Sequence, residues 1–151
     1  LRRKLMNLSA INSKFEGLAV KTQTISWDLL RIVSGLMLIV GHGYGKMFGE
    51  DAQPFLGGRD FFGIDIGINT LWIAGFIEFY VGLLVVAGLF TRWVALLTAI
   101  LMVMAYLSAH PAWFPTLNGG ELATVYFLVF MCIFAYGPGP FSLDARLFGK
   151  K

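Results

Sequence analysis

The chain has 151 residues, of which 57% are hydrophobic and only 14% charged, with a formal net charge of +3. Soluble domains usually carry about 25% charged residues, so the composition excludes an ordinary water-soluble domain and indicates one integral membrane domain. A single cysteine, Cys132, excludes an internal disulfide and a Cys-x-x-Cys redox pair. The small basic excess lies beside apolar segments, which marks topology rather than nucleic-acid binding.

Residues 1–26 mix basic and apolar side chains. Leu5, Leu8, Ile11, Phe15 and Leu18 recur at three- or four-residue steps. That spacing predicts an amphipathic helix lying at the membrane interface, Lys and Arg toward anionic headgroups, or docked on a partner subunit. No apolar stretch follows the basic start until residue 27, so the segment does not read as a cleavable signal peptide.

Four apolar spans follow, all within residues 27–148: Trp27 to Gly45, Leu71 to Phe90, Trp93 to Ala109, and Glu121 to Tyr136. A transmembrane helix needs about 20 residues to cross roughly 30 Å of hydrocarbon, so the last two are slightly short. The expected fold class is all-α, an integral membrane four-helix bundle with an N-terminal interfacial amphipathic helix. The segment before span one (with Arg31 just inside it), the Thr91–Arg92 connection and the tail hold ten of the twelve basic residues. By the positive-inside rule, both termini are expected in the cytoplasm.

The connection from Lys46 to Thr70 is rich in Gly and Asp. Its Phe55, Phe61 and Phe62 suit a lid over the bundle, although a plain connector with interfacial aromatics is the simpler reading.

Polar residues inside the spans are the functional signal, because a charge at mid-bilayer costs about 2.5–3.5 kcal/mol on insertion scales. Asp28, Arg31, Gly35, Leu38, His42 and Lys46 share one helix face. Asp28 and Arg31 read as a structural pair. Gly75, Glu78 and Gly82 share a face of span two, where the glycines permit close helix approach. Glu78 is expected to meet His42, Lys46 or both. His110 closes span three. Glu121 opens span four, where its charge also suits the helix dipole and where Asn118 could cap the helix. His42, Lys46, Glu78, His110 and Glu121 therefore converge on one level, either as a ligand pocket or as a hydrogen-bonded core that fixes helix register.

Neither haem nor metal suits this set. His110 is poorly placed for axial ligation, no spacing motif supports zinc, and no catalytic triad or phosphate loop is visible. A quinone is more natural, with donors from His42, Lys46 and Glu78 and an aromatic wall from Tyr44, Phe48, Tyr80, Trp113 and Phe114. No redox centre is evident, so the chain would not move electrons onward by itself.

The segments LRIVSGLMLIVGHGYGKMFG (Leu30–Gly49), IEFYVGLLVVAGLFTR (Ile77–Arg92), His110, GGELATVYFLV (Gly119–Val129) and GPGPFSLDARL (Gly137–Leu147), in that order, resemble the DoxX family of small four-span bacterial and archaeal membrane proteins. The resemblance covers roughly Trp27 to Phe148. It implies a membrane bundle in the bacterial or archaeal cytoplasmic membrane, related to the DoxD-type subunit of thiosulfate:quinone oxidoreductase. Other members are linked to oxidative-stress complexes. His42, Lys46, Glu78 and Glu121 stand at the family's recurrent polar positions. Gly137, Pro138, Gly139, Ser142, Leu143 and Asp144 form its closing turn, with Asp144 expected to cap a short C-terminal helix. The longer basic N-terminal segment departs from the pattern and suggests docking to a larger assembly. Two functions are thus expected: a component of a membrane oxidoreductase complex that binds quinone or a small polar solute, or an accessory subunit without a ligand. A small polar-solute transporter is weaker, since no inverted repeat is visible.

Overall fold

The structure is a computed structural model that describes residues 2–57, 64 and 67–149, with side chains from residue 9 onward except Ala10. Phe61 and Phe62, the heart of the expected lid, lie outside the described residues. The described chain is helical, with one isolated antiparallel bridge between Leu56 and Ile68.

Helix α1 (Arg2–Leu38) runs through a π-helical turn (Ile39–Gly43) into α2 (Tyr44–Phe48). Helix α3 (Thr70–Phe76) likewise passes through a second π turn (Ile77–Val81) into α4 (Gly82–Ala87). A three-residue turn leads to α5 (Thr91–Ala109), a 3-10 turn (Pro115–Asn118) to α6 (Glu121–Tyr136), and a Gly-Pro turn to α7 (Leu143–Leu147). Three stretches are long and apolar enough to cross a membrane: Ile11–Phe48, Thr70–Ala87 and Thr91–Ala109. The fourth, Glu121–Tyr136, has 16 residues and spans ~24 Å at 1.5 Å per residue. Its ends match the expected span.

The N-terminal segment is helical, but residue 26 is not a helix boundary, because no Gly or Pro interrupts α1 there. Ile11–Phe48 is 38 residues, or ~57 Å, well beyond the ~30 Å hydrocarbon thickness. Residues 11–26 are exposed throughout and the bundle begins at Trp27.

Leu38, Val85, Ala95, Phe130 and Ile133 fill the centre of the bundle. Small residues let the first two spans approach closely. A Cβ added to Gly43 would stand 2.6 Å from the backbone nitrogen of Phe79, one on Gly75 2.7 Å from Lys46 Cβ, and one on Gly82 2.8 Å from Ile39 Cγ1. The two π turns therefore meet backbone to backbone, and such turns are frequent at functional sites.

One end of the bundle is closed by a polar lattice. Arg31 is fully buried. Its Nε donates to the Pro138 carbonyl at 2.8 Å, Nη1 to those of Val85 and Val86 at 2.7 and 2.5 Å, and Nη2 to Phe141 at 2.8 Å. Nη2 also reaches Asp28 Oδ1 at 3.2 Å. The guanidinium thereby satisfies carbonyls at the C-terminal end of α4, groups that would otherwise be left without partners in an apolar medium. Arg92 Nη1 does the same for α6, donating to Phe134 and Ala135. The closing turn differs from expectation in one respect. Ser142 is the N-cap of α7, accepting from the Ala145 amide, whereas the Asp144 carboxylate reaches across the chain and accepts from the Phe90 and Thr91 amides, both at 2.8 Å. Helix α5 has no side-chain cap of its own, so its open amides bind the nearest carboxylate.

Candidate functional site

At the opposite end, α2, α3, α5 and α6 surround a cavity of about 530 Å³. Its walls are mostly apolar, with Leu38, Ile77, Leu101 and Met102 among them, and its polar side chains include His42, Lys46, Glu78, His110 and Tyr126. The size falls within the ~300–1,000 Å³ typical of small-molecule sites, which combine apolar walls with a few polar groups.

The two π turns supply the polar heart. Glu78 lies in the second turn and is 5% exposed. Lys46 sits one turn beyond the first, and its Nζ stands 2.7 Å from both Oε1 and Oε2 of Glu78. A forked ion pair of this kind offsets part of the desolvation cost of each charge. The Lys46 side chain keeps 27% exposure against 6% for Glu78, so the ammonium is the more accessible partner. His42, in the first π turn, sets its ring edge-to-face against Tyr126, centroids 6.1 Å apart. Tyr126 also stacks on Phe130. The cavity thus has donors and acceptors along one wall.

Of the five expected pocket residues, His42, Lys46, Glu78 and His110 line the cavity. Glu121 does not. It is exposed in the first turn of α6, where its neighbours Leu122 and Ala123 take the cavity-facing positions. Each helical residue turns the side chain by about 100°, so the three cannot face one way. His110 is held at the rim by a 2.8 Å contact between Nδ1 and the Asn118 carbonyl. Asn118 does not cap α6: Gly120 is the N-cap and offers no side chain.

The expected aromatic wall is elsewhere. Tyr44, Phe48, Tyr80, Trp113 and Phe114 are exposed and absent from the cavity lining. Phe48 packs on Phe79 and Tyr80, and Phe76 on Tyr80, forming an outward aromatic surface. Phe55, from the expected lid, packs edge-on against Trp72 at 4.7 Å. The cavity wall is instead aliphatic, with Met102, Met104 and the ring of Tyr126. Tyr126 was missed in the sequence. No local spacing sets it apart from the other apolar residues of span four, and only the packing of the helices places it beside His42. Among the described residues no group of three or more His, Cys, Asp or Glu is placed to hold a metal ion.

The residues expected to be structural gather at the other end or between helices. Asp28, Arg31 and Asp144 form the polar lattice, while Gly75 and Gly82 lie at helix contacts.

No solved structure matches the chain. One curated relative, an uncharacterized protein of Haemophilus influenzae, is 38% identical over 126 residues, covering 80% of this chain and 90% of the relative. The sequence model of the DoxX family matches residues 26–111. The match takes in the first three spans and every cavity-lining group up to His110, and the chain is a membrane protein of the DoxX family.

Proposed function

We propose that the chain is a ligand-binding membrane subunit whose cavity receives the polar head of a small lipid-phase molecule, with a quinone as the best fit. The observation that carries this reading is the Lys46–Glu78 pair, its carboxylate buried and its ammonium partly exposed, beside an apolar-walled cavity of about 530 Å³. A purely structural pair is better served by close packing around it, since unfilled space next to buried groups forfeits contacts. Lys46 and His42 supply donors to a carbonyl oxygen, and Glu78 holds Lys46 in place. The chain carries no electron-transfer centre of its own in this reading and serves a larger oxidoreductase assembly in the cytoplasmic membrane, with both termini on the cytoplasmic side.

The test is lipid extraction and mass spectrometry on the native assembly purified in mild detergent. Stoichiometric quinone in the native form, lost in Glu78→Gln and in His42→Ala, is expected. Equal quinone in all three forms would sink the reading.

A second reading, an accessory subunit without a ligand, is favoured by the exposed helix over residues 11–26. In that case deletion of residues 1–26 releases the chain from its assembly while quinone content stays at background.

A further inference from the structure

The cavity shares lining side chains with an exposed apolar groove. Between α1 and α6 runs a seam of two connected hollows, about 450 and 500 Å³, which share Met37, Leu122 and Tyr126. The upper hollow reaches His42 and the lower one extends to Ser26. From Ser26 to Gly41 the helix rises ~22 Å, most of the ~30 Å hydrocarbon thickness. Met37, Val40 and Val125, on the walls of the seam, are 52%, 73% and 54% exposed. A Cβ added to Gly41, at the upper end, would meet nothing within 4 Å. The seam is therefore an open, apolar, elongated channel along the membrane.

His42, Leu122 and Tyr126 line both the cavity and the seam. These shared side chains are an edge-to-face ring pair and one leucine. Side chains change rotamer far faster than helices separate, so this shared wall is the easiest wall of the cavity to open.

We propose that the α1–α6 seam is the membrane-side entrance to the cavity, that His42 and Tyr126 are its gate, and that the ligand is a molecule with a polar head and a linear apolar chain. The head passes the gate to reach Lys46, and the chain remains in the seam between Gly41 and Ser26. The proposal rests on the ligand-binding reading above and adds to it the ligand's shape and route. Continuity of the seam with the cavity selects this occupant over a bulk lipid, whose headgroup would lie at the membrane surface.

Gly41→Leu tests it. The position has room and carries no positive φ, so leucine fits the backbone and fills the upper seam. Binding of decylubiquinone and of its tail-less head group to the purified full chain in nanodiscs would be compared with the native form. Leu83→Trp, at a lipid-facing position outside the seam, serves as control. The expected result is that Gly41→Leu weakens decylubiquinone by about tenfold, the effect of roughly two methylenes left unburied. The tail-less head group and the control stay at native values. Native binding of both probes with no change in Gly41→Leu would overturn the seam and leave the ligand-binding reading standing. No binding of either probe by the native chain would overturn both.

Discussion

Gly43 lies directly against the backbone of Phe79, so closely that a Cβ on Gly43 would stand 2.8 Å from its Cα. This contact fixes the crossing of the two π turns and hence the height of His42 relative to Glu78. Gly43→Ala has backbone, not a flexible side chain, in its way. It is expected to cost about 1–3 kcal/mol, as overpacked cores do, whereas Gly41→Ala faces open space and should be close to neutral. Thermal unfolding in detergent of the two variants decides the point, and equal midpoints would refute the crossing argument.

The Lys46–Glu78 pair should be unequal in its two halves. Removing one partner of a buried pair costs about 3–5 kcal/mol because the other charge is stranded. Glu78 is the more deeply buried, so Lys46→Met should destabilise more than Glu78→Gln. The double variant should recover part of the loss, with a coupling of about 0.5–3 kcal/mol. A double-mutant cycle on thermal stability measures it; strict additivity would mean the pair is not a unit.

Arg31 should not tolerate lysine. Its planar fork serves four carbonyls and Asp28 in different directions, and an ammonium offers three donors from a single point. Arg31→Lys is expected to leave buried carbonyls unpaired at about 1–3 kcal/mol each. Yield of monodisperse protein after extraction is the readout, and native yield would show that the lattice is dispensable.

Asp144→Ala should expose α5 at its N-terminus, costing about 0.5–2 kcal/mol, the range for lost helix caps. Because Asp144 also anchors the closing turn, limited proteolysis should cut residues 137–149 sooner than in the native chain. Unchanged cleavage would argue against the cross-chain cap.

The proposed topology predicts that a fluorescent protein fused to the C-terminus is bright in cells. Gln53→Cys in a Cys132→Ser background should react with an impermeant maleimide from outside. A dark fusion, together with no labelling of the Gln53→Cys variant, would invert the orientation.

The ends of α6 and the short reach from Asp28 to Arg31 were readable in the sequence, since both depend on local spacing. The cavity wall was not. In a membrane protein the outer and inner faces of a helix are both apolar, so hydrophobic periodicity does not say which aromatics face lipid. Tyr80 and Phe48 pointed outward for this reason, while Leu101 and Met102 took the wall. The π turns leave no mark on composition. Asp144 misled because a carboxylate in a helix's first turn suits that same helix, and the competing amides of Phe90 and Thr91 are more than fifty positions away. The pairing of Glu78 with Lys46 was within reach from depth along two spans, but its forked geometry depends on the crossing at Gly43.

The polar lattice around Arg31, Arg92 and Asp144 has a mechanical consequence. The molecule resembles a purse stitched shut at its base and tied more loosely at the mouth, where the Lys46–Glu78 pair and the His110–Asn118 contact join neighbouring elements. Breathing should then grow steadily from base to mouth. Amide exchange, which reports such local opening energies, should be slowest near Val85 and Ile133 and fastest around Lys46, Thr70 and Ala109; a uniform profile would mean that the stitching does not govern the motion.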